Sequence, residues 1–377
     1  MVRVLTVGFA MAMAALPLML TGGSTVGAAR AHDALTAPAQ VSASNWTTMP
    51  TTATPNATNA DQGVSCVTSV FCMAVGNGYD LSTPATTAEL WNGSTWSPLV
   101  MPTVPNSAGG AILAGVSCVT VNFCIAAGYA YPPADQSLYT SLIEQWNGST
   151  WSVVQNTNAP ASDNYLYDVS CSSTSFCVGA GGTATAPYVE QWNGSTWTPI
   201  SLTNPTGATS GYFNAVSCVT ASSCMAVGGE TVAGKQQPLA QVWNGSAWTV
   251  TATVPTISTD SYGFNGVSCA GLSSCVAVGG NHNINVALTW NGSSWTRATV
   301  PTPSGGGNLN AISCFSATSC TAVGTLGSGG LQGATPQAIT WDGQNWTQAA
   351  TPAPPPSSTG STYYAIDCIT DWACVTA

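Results

Sequence analysis

The chain has 377 residues, with 4 Lys and Arg against 14 Asp and Glu, 2 His and a formal net charge of −10. After residue 31 only Lys235 and Arg297 remain as strong bases, which excludes nucleic acid as a partner, because a phosphate backbone needs clustered Lys and Arg. Charged residues make up just 5% of the chain, so solubility rests on Ser, Thr, Asn and Gln.

Residues 1–31 place Arg3 before a long apolar run and end in the small-x-small triplet Ala29-Arg30-Ala31. That pattern predicts a secretory signal peptide, leaving 32–377 as one exported domain. A retained membrane anchor is the rival reading, although Pro17 interrupts the run. The segment AQVSASNWTT (39–48) follows, and it resembles AQVWNGSAWTV (240–250).

From residue 66 onward the chain repeats. Cysteines fall as Cys66/Cys72, Cys118/Cys124, Cys171/Cys177, Cys218/Cys224, Cys269/Cys275, Cys314/Cys320 and Cys368/Cys374, always Cys-x5-Cys. Zinc ligands usually stand two to four residues apart, often with His, and His32 and His282 are too few to help. Disulfides within each pair are therefore expected, since five intervening residues let two strands fold symmetrically and set the cysteines opposite one another. A second peptide follows each pair: EQWNGSTW at 144–151 and 190–197, with looser copies at 89–96, 241–248, 288–295 and 339–346. Asn-Gly between apolar runs is a strong hairpin signal. A two-residue type I′ turn and a four-residue loop both put the two tryptophans on one face. The pairs Trp91/Trp96, Trp146/Trp151, Trp192/Trp197, Trp243/Trp248, Trp290/Trp295 and Trp341/Trp346 are thus assigned to structure.

Each unit reads as four short strands, as in VSCVTASSCMAVGGETVAGKQQPLAQVWNGSAWTV (216–250). Gly228-Gly229, an apolar strand ending in an aromatic, a turn, a Trp and an outer strand resemble a kelch repeat, and Gly279-Gly280 with Trp290 and Trp295 repeats the pattern. GSTW is similar to the Asp-box (BNR-like) hairpin of sialidase-like propellers, with Asn in place of Asp except at Asp342. Paired cysteines are not a kelch feature, and secreted Cys-x5-Cys/WNGSTW repeat proteins of actinobacteria look alike in this respect. The resemblance implies an all-β propeller spanning 39–377. Six units are complete and the last, YYAIDCITDWACVTA, stops after its second strand. Residues 39–48 are expected to supply strands three and four, closing a seven-bladed ring from both termini; a chain cut short is the alternative.

In such a ring the Cys-x5-Cys and WNGSTW turns share one face, and the variable loops share the other. The innermost strands are entered from that second face through Tyr165 and Tyr167, Tyr212 and Phe213, Tyr262 and Phe264, and Tyr363 and Tyr364. Asp163, Asn164, Asn214, Asp260, Asn265 and Asn310 lie beside them. Aromatics beside Asn and Asp suit a neutral polyol, so these rings are the candidate ligand-binding residues. The same rings would equally serve to plug gaps between blades. Glu89, Glu144 and Glu190 occupy equivalent places before the hairpin Trp and invite comparison with the carboxylate pair of a glycosidase. Gln241, Leu288 and Ile339 fill that slot later, so inheritance with the repeat explains them. No catalytic residue, cofactor or metal is expected; Asp80 and Asp135 as calcium ligands lack a supporting run. The N-x-S/T matches at Asn92, Asn147, Asn193, Asn244 and Asn291 fall on the tight turn itself. The expected function is a secreted, monomeric binding module or scaffold taking a glycan or cell-envelope polymer, or an extracellular protein. The alternative is a carbohydrate-active hydrolase or lyase.

Overall fold

A computed structural model describes residues 6–8, 46–49, 59–80, 83–105, 107, 110–131, 138–154, 163–252, 254–255, 262–281, 283–302, 305–327, 334–352, 361–371 and 373–377. Among them every regular element is a β-strand, and the 28 strands form seven antiparallel blades of four. Blade 3 is representative: Asn164–Ser173 innermost, then Phe176–Thr183, Pro187–Trp192 and Trp197–Ser201. The innermost strands of the other complete blades are Asn59–Thr68, Ala111–Thr120, Ala208–Thr220, Gly263–Gly271 and Gly307–Ser316. Each touches its two neighbours in rotation, and Ile366–Thr370 of blade 7 touches Asn59–Thr68 of blade 1. The ring is closed: the fold is a seven-bladed β-propeller. Hydrophobic clusters between successive blades form the core, for example Ile125, Ile143, Leu166 and Tyr188 between blades 2 and 3.

Local chemistry explains why the same two peptides recur. The cysteines pair as Cys66–Cys72, Cys118–Cys124, Cys171–Cys177, Cys218–Cys224, Cys269–Cys275, Cys314–Cys320 and Cys368–Cys374, every bridge lying within its own blade. The two ends of each bridge differ in setting. The first cysteine, on the innermost strand, stays partly exposed. The second, near the start of the second strand, is buried in the core between blades. This holds for Cys72, Cys124, Cys177, Cys224, Cys275, Cys320 and Cys374 alike. Each bridge thus anchors its hairpin to the packed interior, which spacing alone does not reveal.

The WNGSTW hairpin takes the four-residue form, with Trp146 directly opposite Trp151 and their rings 5.9 Å apart. Asn147 does not adopt the positive φ that a type I′ turn requires; only Gly148 does, at 98°. The Asn147 carboxamide oxygen instead accepts from the backbone N–H groups of Ser149 and Thr150, both at 3.0 Å. Asn is therefore selected as an acceptor that mimics a backbone turn. Asp342 accepts likewise from Gln344 and Asn345, and these bonds hold its carboxyl below the usual range.

The two tryptophans of a pair have unlike tasks. The first ties the two hairpins together: the Trp146 indole donates to the Val121 carbonyl at 3.1 Å and Trp192 to Thr174 at 3.0 Å. The second fills the space between blades. Trp96, Trp151, Trp197, Trp295 and Trp346 are buried there, each beside its partner ring, as Trp96 is at 5.8 Å from Trp91 and Trp346 at 5.5 Å from Trp341. Trp248 is the exception, only partly buried, although it still packs 5.9 Å from Trp243 and 6.4 Å from Phe213. Both repeated peptides lie on one face, as scaffold.

Successive blades are joined by a ring of hydrogen bonds that runs once around the axis. The serine preceding the first cysteine of a blade accepts from the N–H of that cysteine's counterpart in the next blade. Ser65 accepts from Cys118 (3.0 Å), Ser117 from Cys171 (3.0 Å), Ser170 from Cys218 (2.9 Å), Ser217 from Cys269 (3.1 Å), Ser268 from Cys314 (2.9 Å) and Ser313 from Cys368 (3.0 Å). In blade 7 the serine is replaced by Asp367, whose carboxylate accepts from Cys66 at 2.7 Å and completes the circle. Burial pushes the Asp367 carboxyl up to about 6, partly offset by its hydrogen bonds.

Blade 7 corrects one expectation in detail. Its strands are Ile366–Thr370, Ala373–Thr376, Thr6–Gly8 and Trp46–Thr48. The outer strand comes from the 39–48 segment as expected, with Trp46 opposite Gly8. The third is Thr6–Gly8, paired to Val375 and Thr376, and residues 39–45 lie outside the described residues. The likeness that suggested otherwise rests on a match of three residues, Ala39-Gln40-Val41 with Ala240-Gln241-Val242.

Candidate functional site

The innermost strand of every blade carries a β-bulge at the same place. In blade 3, Leu166 pairs with Gly181 and Asp168 with Ala180, leaving Tyr167 as the extra residue. The same shift leaves Gln62, Ala114, Asn214, Asn265 and Asn310 unpaired in blades 1, 2, 4, 5 and 6. In blade 7 both Tyr364 and Ala365 donate to the Ala377 carbonyl, at 2.7 and 3.2 Å, which places Tyr364 equivalently. A bulge kinks a strand and re-aims the side chain of its extra residue. Here the seven extra residues line one axial cavity of about 150 Å³, together with the residue that follows each of them.

The bulge also explains the glycine that ends each A-V-G or equivalent run of the second strand. A Cβ on Gly128 would stand 1.9 Å from the Ile112 carbonyl oxygen, and one on Gly181 would stand 1.9 Å from that of Tyr165. The carbonyl two residues before the extra residue occupies the space that a side chain would need. In the Gly-Gly doublets the second glycine serves another purpose. A Cβ on Gly182 would meet the Tyr165 hydroxyl at 2.8 Å, so this glycine is a seat for the tyrosine ring.

Three cavity asparagines are locked by the neighbouring blade. Asn214 donates through its amide to the Phe264 carbonyl at 2.8 Å, Asn265 to Leu309 at 2.9 Å, and Asn310 to Tyr363 at 2.8 Å. Directly after the extra residues, successive blades carry Gly63, Gly115, Asp168, Ala215, Gly266, Ala311 and Ala365 in the lining. Asp168 is the one ionisable residue in the lining that carries a carboxyl. It accepts from the Val169 N–H at 2.8 Å and from Val216 of blade 4 at 2.9 Å. Burial raises its carboxyl to about 7 despite those two bonds. Gly115 makes room for it, since a Cβ there would stand 2.7 Å from the carboxylate.

Beside the cavity, on the variable-loop face, lies a cluster of tyrosines. Tyr165 and Tyr167 are 4.8 Å apart, Tyr139 is 5.9 Å from Tyr165, and Tyr129 sits 5.2 Å from Tyr139 and 6.1 Å from Tyr167. Tyr131 joins at 5.4 Å from Tyr139. Most of these contacts are edge-to-face, the arrangement that the ring quadrupole favours. Tyr212 of blade 4 accepts a hydrogen bond from Gln236 at the edge of the group. Burial raises the phenols of Tyr129, Tyr165, Tyr167 and Tyr212, so the cluster presents neutral hydroxyls. Tyr129, Tyr131 and Tyr139 sit on and around the second and third strands of blade 2. Sequence reasoning centred on the innermost strands misses them, although Y-A-Y and L-Y-T in one unit are a visible signal.

The eight candidate rings therefore separate into two sets. Tyr167 and Tyr364 keep 37% exposure each, and Tyr165 and Tyr212 are partly exposed. Phe213, Tyr262, Phe264 and Tyr363 are buried, at 0, 3, 0 and 2%; they pack between blades and cannot face a ligand. Phe264, for example, lies 5.7 Å from Trp295. Adjacent aromatics on one strand take opposite sides, so Phe213 and Tyr363 are the core members of their pairs, whereas Tyr262 and Phe264, two residues apart, are both buried. The scaffold side chains take no part in the site either. None of the seven bridges contributes to the cavity lining, and neither do Trp96, Trp248, Trp346 or the other hairpin tryptophans.

Glu89, Glu144 and Glu190 are buried as well. Glu190 accepts from the Tyr188 hydroxyl at 2.9 Å and from Ser141 of blade 2 at 2.5 Å. Glu144 has no well-formed hydrogen bond, and burial pushes it up to about 8, eased slightly by the nearby Thr86 hydroxyl. Among the described residues no three His, Cys, Asp or Glu side chains gather as metal ligands. Asp135, Asp260 and His282 lie outside the described residues.

No protein-family model matches the chain, and no curated protein matches its sequence. Solved structures do resemble it in shape. YCF48 bound to D1 peptide is 12% identical, covering 85% of this chain and 92% of its own, with a TM-score of 0.50. YCF48 from Cyanidioschyzon merolae is 12% identical over 85% and 96%, with a TM-score of 0.51. YjhT is 11% identical over 77% and 97%, with a TM-score of 0.49. At such identities the likeness to YCF48 shows a shared fold, the β-propeller.

Proposed function

We propose that the protein is an exported, non-catalytic binding module that takes a glycan or cell-envelope polymer on its variable-loop face. The observation that carries this reading is the cluster of half-exposed tyrosines continuous, through Tyr167, with the asparagine-lined axial cavity. Aromatic faces stack on the apolar faces of sugars, while neutral hydroxyls and amides bond their hydroxyl groups. The three inherited glutamates are buried between blades, which favours binding over a glycosidase that needs two carboxylates flanking its substrate. Seven disulfides support an oxidising compartment.

Depletion by a panel of insoluble polysaccharides and cell-wall fractions, with released products assayed in parallel, tests the function. Saturable depletion without products is expected, weakened about ten-fold or more when Tyr129 and Tyr167 are replaced by Ala, since a stacked ring contributes on the order of 1 kcal/mol. Released oligosaccharides would instead establish the hydrolase or lyase reading. Export has its own check, because cutting after Ala31 takes Thr6–Gly8 out of blade 7. Sequencing the N-terminus of the exported protein should read His32 first; finding Arg3 retained would sink the signal-peptide reading.

A further inference from the structure

We propose that the axial cavity is a subsite for a protonated primary amine, carried by an amino sugar of the bound polymer. The inference rests on the glycan-binding reading above and adds the chemical group that it recognises.

Three polar side chains of the cavity lining, Asp168, Asn214 and Asn265, have acceptor atoms to offer. Because the Asn214 and Asn265 amide groups donate to the next blade's carbonyls, their carboxamide oxygens cannot also point there. Those oxygens have no hydrogen-bond donor among the described residues and are left to the cavity that both side chains line. The assignment of oxygen and nitrogen follows from the bonds themselves, since only the NH₂ end can donate to a carbonyl. Asp168 sits beside them and spends one backbone N–H on each oxygen. A carboxylate offers about four lone-pair sites, so half of its capacity remains. No Lys, Arg or His is in the lining to answer this charge.

Asp168, Asn214 and Asn265 belong to three consecutive blades, and an ammonium has three donors. Neutral sugar hydroxyls would meet only part of this demand, for each brings a single donor. A calcium ion would want about six to eight oxygens, usually with several carboxylates, and here there is one. The cavity's volume of about 150 Å³ suits a small head group with some of its water, a water occupying roughly 30 Å³. Tyr167 and Tyr364, the two exposed rings of the bulge series, stand at its rim, where aromatic faces favour a cation. Tyr167 then leads the rest of the polymer onto the tyrosine cluster. An ammonium beside Asp168 would draw its burial-raised carboxyl back toward the ionised form.

Titration of the full oxidised protein with a short β-1,4-linked glucosamine oligomer and with its N-acetylated counterpart, at near-neutral pH, tests this. The free amine form should bind about ten-fold tighter or better, the difference of one charge-assisted hydrogen bond. Asp168→Asn should abolish that preference while leaving weak binding of the acetylated oligomer. Asp168→Gly, which restores the residue of Gly63 and Gly266 at this place, should do the same and guards against a variant that fails to fold. Equal or tighter binding of the acetylated oligomer, or an unchanged preference in both variants, would overturn the amine subsite. If neither oligomer binds but another polysaccharide does, the subsite falls and the glycan reading stands; if no polysaccharide binds, both fall.

Discussion

Between pH 4 and pH 8 the propeller should become steadily less stable, and Glu144→Gln should remove much of that slope. In the fold Glu144 is fully buried and its carboxyl is raised from the ordinary 4.5 to about 8. Asp168 and Asp367 are raised from 3.8 to about 7 and about 6. A group whose folded pKa lies above its unfolded value binds its proton more tightly in the native state. Its contribution is fully present below the unfolded pKa and is lost as the pH climbs through the folded one. For Glu144 the loss spans 4.5 to about 8 and is on the order of 3 kcal/mol, enough to lower Tm by several degrees. Thermal melts across this range test it. The net charge of −10 adds self-repulsion in the same direction, so the decisive comparison is between wild type and Glu144→Gln, which should match wild type in acid and exceed it at pH 8. Parallel profiles for the two proteins would show that Glu144 titrates normally.

A second large effect is expected at Gly128. Alanine there would place its Cβ 1.9 Å from the Ile112 carbonyl oxygen, well inside contact, and the obstacle is backbone that the bulge holds in place. We expect Gly128→Ala to cost about 3 kcal/mol, at the upper end for a forced overpacking, and to collapse the bulge beside Ala114. Gly271→Ala is the control, since nothing lies within 4 Å of its added Cβ and surface changes are worth about 0.5 kcal/mol or less. Denaturant unfolding of the two variants reads the difference. Similar stabilities would mean that the second-strand glycines are not imposed by the bulges.

Much of this architecture is legible in the sequence because it is written six times in full and once in part. Cys-x5-Cys and WNGSTW announce their hairpins through spacing alone, and counting the cysteine pairs counts the blades. What escapes is the bulge. It adds one residue without a composition of its own, and from that point the parity of the strand is broken. Alternation says that Tyr212 and Phe213 differ in orientation but leaves open which of them faces outward. For the same reason Asn214, Asn265 and Asn310 are readable as polar neighbours of the channel mouth, whereas Asp168, one residue past the bulge, is not. The tyrosines of blade 2 join the site from strands two and three, a proximity created by the blade's own folding. The unequal status of Asp367 is likewise silent until the serine ring is seen to close on it.

Gln62, Ala114, Tyr167, Asn214, Asn265, Asn310 and Tyr364 are the bulge positions that reach the axial cavity. None of these side chains belongs to a disulfide, a tryptophan pair or the serine ring. The propeller thus separates its grammar from its vocabulary: the seven letters around one axis vary from blade to blade while the bridges and tryptophan pairs that make the fold repeat.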